Sequence, residues 1–521
     1  MDLVVGNATV IDGTGAPGTP GWVAVERDRI AAVGREVDEP PAASRRIDAG
    51  GMVVTPGFVD VHNHSDLSPF VLPTMPSTVR QGVTSVVVGN CGSSPFPLSS
   101  WDEGLSLAYA AGSTDHPRPS WAAWSDYLDA IDDARPAANV ATLVGHGSVR
   151  REVLGDERRP PTDAELARMG RLVRDAVADG AVGVSTGLIY VPGIYAATEE
   201  IIALARAAAG EGGIYASHIR GEGRDLFPAL DEALAIGAAA EMPVHISHLK
   251  CETSTLWGRA EELLARLDDA PDATADQYPY EAWNSSLSSL LPPWAPAGRI
   301  AEIAATDHER LRAAVEVGEP DFQSSIDGVG WHRIILETAP ERRWRGRSVA
   351  DVADERSVEP FDAMVELLGA DPEISCIGHA MSPTDVRAIL ADPGVFVASD
   401  ASATAPDGPG GELPVHPRDY GTFPRALALA RDEALLPLEA VIRKMTSLPA
   451  DRFGLTGRGR IGPGAFADLV VFDPATIHDH ATYNDPHVFP QGISAVVVNG
   501  EIAWSKDASS IVRAGRALRR V

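Results

Sequence analysis

From about residue 53 to residue 400 the chain alternates short Val/Ile/Ala-rich runs with longer amphipathic ones. That rhythm predicts parallel strands joined by crossover helices. One helix can be argued residue by residue. Thr162-Asp-Ala-Glu165 is a capping box, and Leu166, Met169, Leu172, Val173, Ala176 and Val177 follow at helical spacing until Gly180 ends the run. Thr198 to Gly212, Arg224 to Glu241 and Leu256 to Ala270 read as further helices. Strands ending at His218, His248 and Tyr278 follow them directly. The expected architecture is a (β/α)8 TIM-like barrel, whose functional groups gather at the carboxyl ends of the strands. Nine runs qualify as strands, counting Glu373 to Gly378, so one of them is expected outside the barrel.

The strand ends carry the chemistry. His62 and His64 are two residues apart at the end of Val53-Val-Thr-Pro-Gly-Phe-Val-Asp-Val-His-Asn-His64. On a strand they project to the same side, close enough to share one metal. Cys91, His218, His248 and Asp400 close other short apolar runs. Imidazole, thiolate and carboxylate together suit zinc, and more than three ligands leave room for a bound water or a second ion. Cys91 alone would read as a small buried hydrophobe, but its Gly-Asn-Cys-Gly setting favours a ligand. Asp400 could merely cap a turn, yet its place on the last strand favours catalysis. His245 falls off the ligand pattern and reads as a core residue. His146 and His379 also stand at strand ends and are candidates for outer or substrate-facing groups. Cys251, Cys376 and the tryptophans take structural readings.

Composition bounds the partners. The 521 residues are 44% hydrophobic, enough for one large barrel and a smaller domain. With 73 acidic and 44 basic side chains the formal charge is −29, which argues against nucleic acid or an anionic membrane as a partner. No basic-then-apolar start and no apolar run of about 18 residues is present, so a cytoplasmic protein is expected. Three widely spaced cysteines do not suggest a disulfide framework. The oligomeric state stays open.

Residues 1–52 and 455–521 read as hairpin strands that combine into one small β domain around a barrel at 53–454. About residues 281–372 are too long for a barrel loop and read as an inserted subdomain with Trp294, Trp331 and Trp344.

Gly57-Phe-Val-Asp-Val-His-Asn-His64 and Gly464-Ala-Phe-Ala-Asp-Leu-Val-Val-Phe-Asp473 resemble the amidohydrolase superfamily. Gly89-Asn-Cys-Gly92, Gly187-Leu-Ile-Tyr-Val-Pro-Gly193, Tyr215-Ala-Ser-His-Ile-Arg220, Ile246-Ser-His-Leu-Lys250, Asp276-Gln-Tyr-Pro-Tyr280 and His416-Pro-Arg-Asp-Tyr-Gly-Thr-Phe-Pro-Arg425 resemble its N-acyl-D-amino-acid deacylase (D-aminoacylase) group. The resemblance implies a barrel with a composite β sandwich and zinc-dependent hydrolysis of N-acyl-D-amino acids. It makes Cys91, His218 and His248 the tight zinc ligands, with His62, His64 and Asp400 around a second, weaker position. Asp400 is then also the catalytic base. Lys250, Tyr278 and Arg418 hold the carboxylate of a small anionic substrate, with Tyr190 nearby. The chain departs from the family pattern at Ala401-Ser402 and in the Gly/Pro-rich stretch 401–415, which bears on side-chain preference.

Lysine usage is an independent clue, since Lys250, Lys444 and Lys506 are the only three in the chain. Relatives that open cyclic amides bridge two metals with a lysine on the fourth barrel strand, and Ala181-Val-Gly-Val-Ser-Thr-Gly187 has none. A hydrolase of other linear or cyclic amides and a non-catalytic scaffold are the alternative readings.

Overall fold

The computed structural model describes residues 1–97, 121–320, 322–408, 411, 413 and 415–520. Eight parallel strands form the barrel: β1 (Phe58–Asp60), β2 (Val83–Val88), β3 (Asn139–Gly145), β4 (Gly183–Gly187), β5 (Ile214–His218), β6 (Val244–Ile246), β7 (Ala273–Gln277) and β8 (Val395–Val397). Each pairs in parallel with the next. The seam between β8 and β1 closes beyond the strands proper. There the Asp400 amide donates to His62 O and the His64 amide to Ala401 O, each at 2.8 Å. The two ends of the ligand series are thus joined by backbone.

Alternation of side chains divides the strands between two cores. Along β2, Val87 points inward with Val59, Leu143, Ile214, Ala216 and Phe396, and Phe453 and Leu455 belong to the same cluster. Val86 and Val88 face the surrounding helices. The helix argued from the capping box spans Asp163–Ala178, with Thr162 and Glu165 bonded reciprocally.

The small domain is one eight-stranded sheet built from both ends of the chain. Its centre is Val53–Pro56, parallel to Leu3–Val10 and antiparallel to Leu469–Phe472. This segment therefore belongs to the small sheet, and the crossing to the barrel comes at Gly57 rather than at residue 53. The last strand, Ala517–Leu518, returns to pair with β3. The ninth strand run, Ser375–Gly378, lies outside the barrel. It sits between Trp283–Ser286 and Ile334–Leu336 in a three-stranded antiparallel sheet. With Trp344, Phe361 and Leu290 this sheet encloses a separate core for the insertion.

Candidate metal centre

Cys91, His248 and Asp400 all adopt left-handed backbone conformations, with φ of 53°, 36° and 51°. Non-glycine residues rarely do so, at roughly 1–3 kcal/mol each, and such outliers concentrate at functional sites. Each closes its strand and turns its side chain into the barrel mouth. The approach is close: a Cβ on Gly187 would stand 2.1 Å from Cys91 O, so β4 reaches the Cys91 turn only as glycine.

The six predicted ligands form one cluster. Cys91 Sγ lies 3.3 Å from His62 Nε2 and 3.7 Å from His248 Nε2, and His248 Nε2 is 2.9 Å from His218 Nδ1. Asp400 Oδ1 is 3.3 Å from His62 Nε2 and 3.0 Å from His64 Nε2. The ligand atoms of His62, Cys91, His248 and Asp400 lie within 4.8 Å of one another. Burial opposes ionisation of Cys91, but the His62 charge and hydrogen bonds from His218, His248 and His62 outweigh it and hold the thiol well below its ordinary range. Burial likewise opposes ionisation of Asp400, and the nearby Arg418 and His62 charges hold its carboxyl well below the usual carboxylate range. A thiolate, imidazoles and a carboxylate converging within a few ångströms fit zinc.

Two carboxylates that the sequence reading gave no role complete the arrangement. Asp276, on β7, accepts from His245 Nε2 at 2.8 Å and from the His248 amide at 2.9 Å, and lies 3.3 Å from His62 Nδ1. It fixes the His62 ring and the His248 turn together, as outer carboxylates do for metal-binding histidines. Its signal was an acid inside the apolar run Ala273-Thr-Ala-Asp-Gln277. Glu222 joins His218 and His248 in a second set of close ligand atoms and accepts from Lys250 Nζ at 2.5 Å. Its signal was a carboxylate four residues past His218, between two glycines.

Tyr190, Lys250, Tyr278 and Arg418 line the same cavity of about 420 Å³ as the cluster. Neither cation is bare: Lys250 meets Glu222, and Arg418 Nη1 is 2.9 Å from Asp400 Oδ2. Arg418 still has Nε without a hydrogen-bond partner, as has the Tyr278 hydroxyl. Buried donors without partners at the mouth of a site suit an anion. Three other histidines singled out by the sequence take other partners. His245 is satisfied by Asp276 and Thr274, His146 binds Glu200 at 2.9 Å, and His379 packs edge-on against Tyr483. Cys251 and Cys376 are buried, and burial pushes the Cys251 thiol up to about 12. Of the stretch 401–415, residues 409, 410, 412 and 414 lie outside the described residues.

The amidohydrolase family model matches residues 45–289 and 379–503, breaking across the insertion. A D-aminoacylase of Alcaligenes xylosoxydans xylosoxydans is 38% identical, over 100% of this chain and 98% of that protein. A solved D-aminoacylase, described as having a binuclear metal centre with one-metal activation and second-metal attenuation, is 37% identical with a TM-score of 0.84, covering 100% of both chains. The N-acyl-D-glutamate deacylase of Bordetella bronchiseptica, solved with zinc and a phosphonate inhibitor, is 34% identical over 100% of this chain and 99% of that one, with a TM-score of 0.82. A metal-ready cluster on a barrel shared along its whole length with these enzymes places the chain in the amidohydrolase family, as a metal-dependent hydrolase of the D-aminoacylase group.

Proposed function

We propose that the protein hydrolyses the amide bond of N-acyl-D-amino acids, releasing a carboxylic acid and a free D-amino acid. The observation that carries this reading is the joining, in one cavity, of a thiolate–imidazole–carboxylate cluster with Lys250, Tyr278 and Arg418. Cys91, His218 and His248 would hold zinc tightly, and His62, His64 and Asp400 would surround a second, weaker position. When bound, zinc supplies a water of lowered pKa and polarises the scissile carbonyl.

The remaining tasks belong to the chain. Asp400 accepts the proton of the attacking water and passes it to the departing nitrogen, as one positioned general acid/base. Arg418 and Lys250 hold the substrate carboxylate, Arg418 through its unpaired Nε together with the Nη1 that faces Asp400. In the free enzyme Glu222 and Asp400 stand beside these cations, so an incoming carboxylate replaces one acidic partner with another. It also loosens the hold of Arg418 on Asp400. Tyr278 adds its hydroxyl, and Tyr190 packs edge-on against His218, with ring centroids 5.0 Å apart. Cyclic amides are disfavoured because β4, Gly183-Val-Ser-Thr-Gly187, offers no lysine to bridge two metals.

The test is release of free amino acid from matched N-acetyl-D and N-acetyl-L substrates by zinc-loaded enzyme. Turnover confined to the D series is expected. Turnover of the L series at equal rates would overturn the stereochemical assignment, and none in either series with zinc bound would overturn the substrate class.

A further inference from the structure

One wall of the cavity carries two buried carboxyl groups, Glu337 and Glu252, which feel the charges of Arg418 and Lys250 respectively. The wall comes from the insertion and from the loop after β6. Glu337 follows the strand Ile334–Leu336 and is only 4% exposed. Its Oε2 accepts from Asn284 Nδ2 at 2.7 Å, while Oε1 is buried without any partner. Glu252, 6% exposed, faces the cavity beside Trp283 and Ser325. Burial pushes both carboxyls up to about 7.

Among the described residues, the lysines and arginines lining the cavity are Arg151, Lys250 and Arg418. Lys250 and Arg418 are engaged with Glu222 and Asp400 and are assigned to the substrate carboxylate. Arg151 binds Asp156 and Val191 O at the other rim. A buried carboxylate oxygen without a donor is costly, and burial shifts both groups toward their neutral forms. A side chain ending in a cation would supply the donor that Glu337 Oε1 lacks and favour the ionised form of both groups.

We propose that this wall is the side-chain subsite and that it selects N-acyl-D-amino acids with basic side chains, of the D-lysine and D-arginine type. The proposal rests on the deacylase reading above and deepens it. The ammonium or guanidinium donates to Glu337 Oε1, and Glu252 supplies the second negative charge. The methylene stem lies along Trp283. Acidic side chains are excluded by the same two carboxylates.

The experiment is a kcat/KM series on N-acetyl-D-lysine, N-acetyl-D-arginine, N-acetyl-D-norleucine and N-acetyl-D-glutamate with zinc-loaded enzyme. Norleucine matches the lysine stem without its charge. The basic substrates should exceed norleucine by about tenfold or more, the effect expected of one charge-assisted hydrogen bond, and glutamate should be the poorest. Glu337→Gln and Glu252→Gln should each lower the lysine-to-norleucine ratio by about tenfold, a ratio that a general loss of folding would not move. Norleucine turned over as well as lysine would overturn the subsite and leave the deacylase reading standing. Silence on all four substrates, with zinc bound, would overturn both. If neither variant folds, the wild-type series still decides.

Discussion

At the residue scale the site is a set of side chains whose ionisation is controlled by neighbours. Asp400 touches His62, His64 and Arg418, and above all the Arg418 charge keeps it ionised despite burial, helped by His62 and a hydrogen bond from His64. An Asp400→Asn variant loses the proton acceptor while nearly keeping its shape. Its turnover of an N-acyl-D-amino acid should fall by about a hundredfold to ten-thousandfold, with circular dichroism unchanged. Full turnover would remove Asp400 from the chemistry. Asp276 acts through others, holding His62, His245 and the His248 amide. Asp276→Asn should weaken zinc binding by about ten- to a hundredfold, measured by competition with a chelating dye. Unchanged affinity would make Asp276 a packing residue only.

At the scale of elements, strand ends that carry strained turns do the positioning, and helices are ordinary amphipathic covers. The helix Leu438–Met445 is an exception, since its Lys444 is buried against β8 and donates to Leu390 O and to Asp392 O at 2.5 Å. Burial pushes this amine down to about 7, with Asp392 opposing the shift. In the unfolded chain a lysine keeps its proton to about 10.4, so between roughly pH 7 and 10 the unfolded state binds more protons. Stability from this group therefore rises with pH across that window. The gain in urea midpoint from pH 7 to pH 9 should be smaller in Lys444→Met than in the wild type. Equal gains would show that Lys444 stays charged throughout.

The convergence of these side chains was legible because strand periodicity and carboxyl-end position are local properties of the sequence. His62, His64, Cys91, His218, His248 and Asp400 each close a short apolar run. Glu222 and Asp276 were not assigned, because their roles depend on which side chains the barrel closure brings opposite them. The strand count was ambiguous for the same reason. Ser375–Gly378 has the composition of a barrel strand, and only its antiparallel partners in the insertion reveal its place. The pairing of Lys250 and Arg418 with acids was also hidden. Sequence shows two cations at the mouth, but not that Glu222 and Asp400 reach them.

At the scale of the molecule, the small sheet, barrel and insertion divide the labour. The barrel's seam is closed by backbone bonds from the very segments that carry His62, His64 and Asp400. The small sheet ties both chain ends to the barrel through Val53–Pro56 and Ala517–Leu518. The insertion has its own core and lends Trp283, Asn284 and Glu337 to the cavity, apart from the strand ends that carry the candidate ligands. Among the described residues no helix is long and apolar enough to cross a membrane.

All of this depends on the cluster being a working metal centre. The most direct measurement is the turnover of N-acetyl-D-methionine by chelator-stripped protein during titration with zinc, with bound metal counted in parallel. Stripped protein should be inactive and regain its turnover as the tight site fills, and Cys91→Ala should abolish both binding and recovery. Stripped, zinc-free protein that retained full turnover would contradict the account.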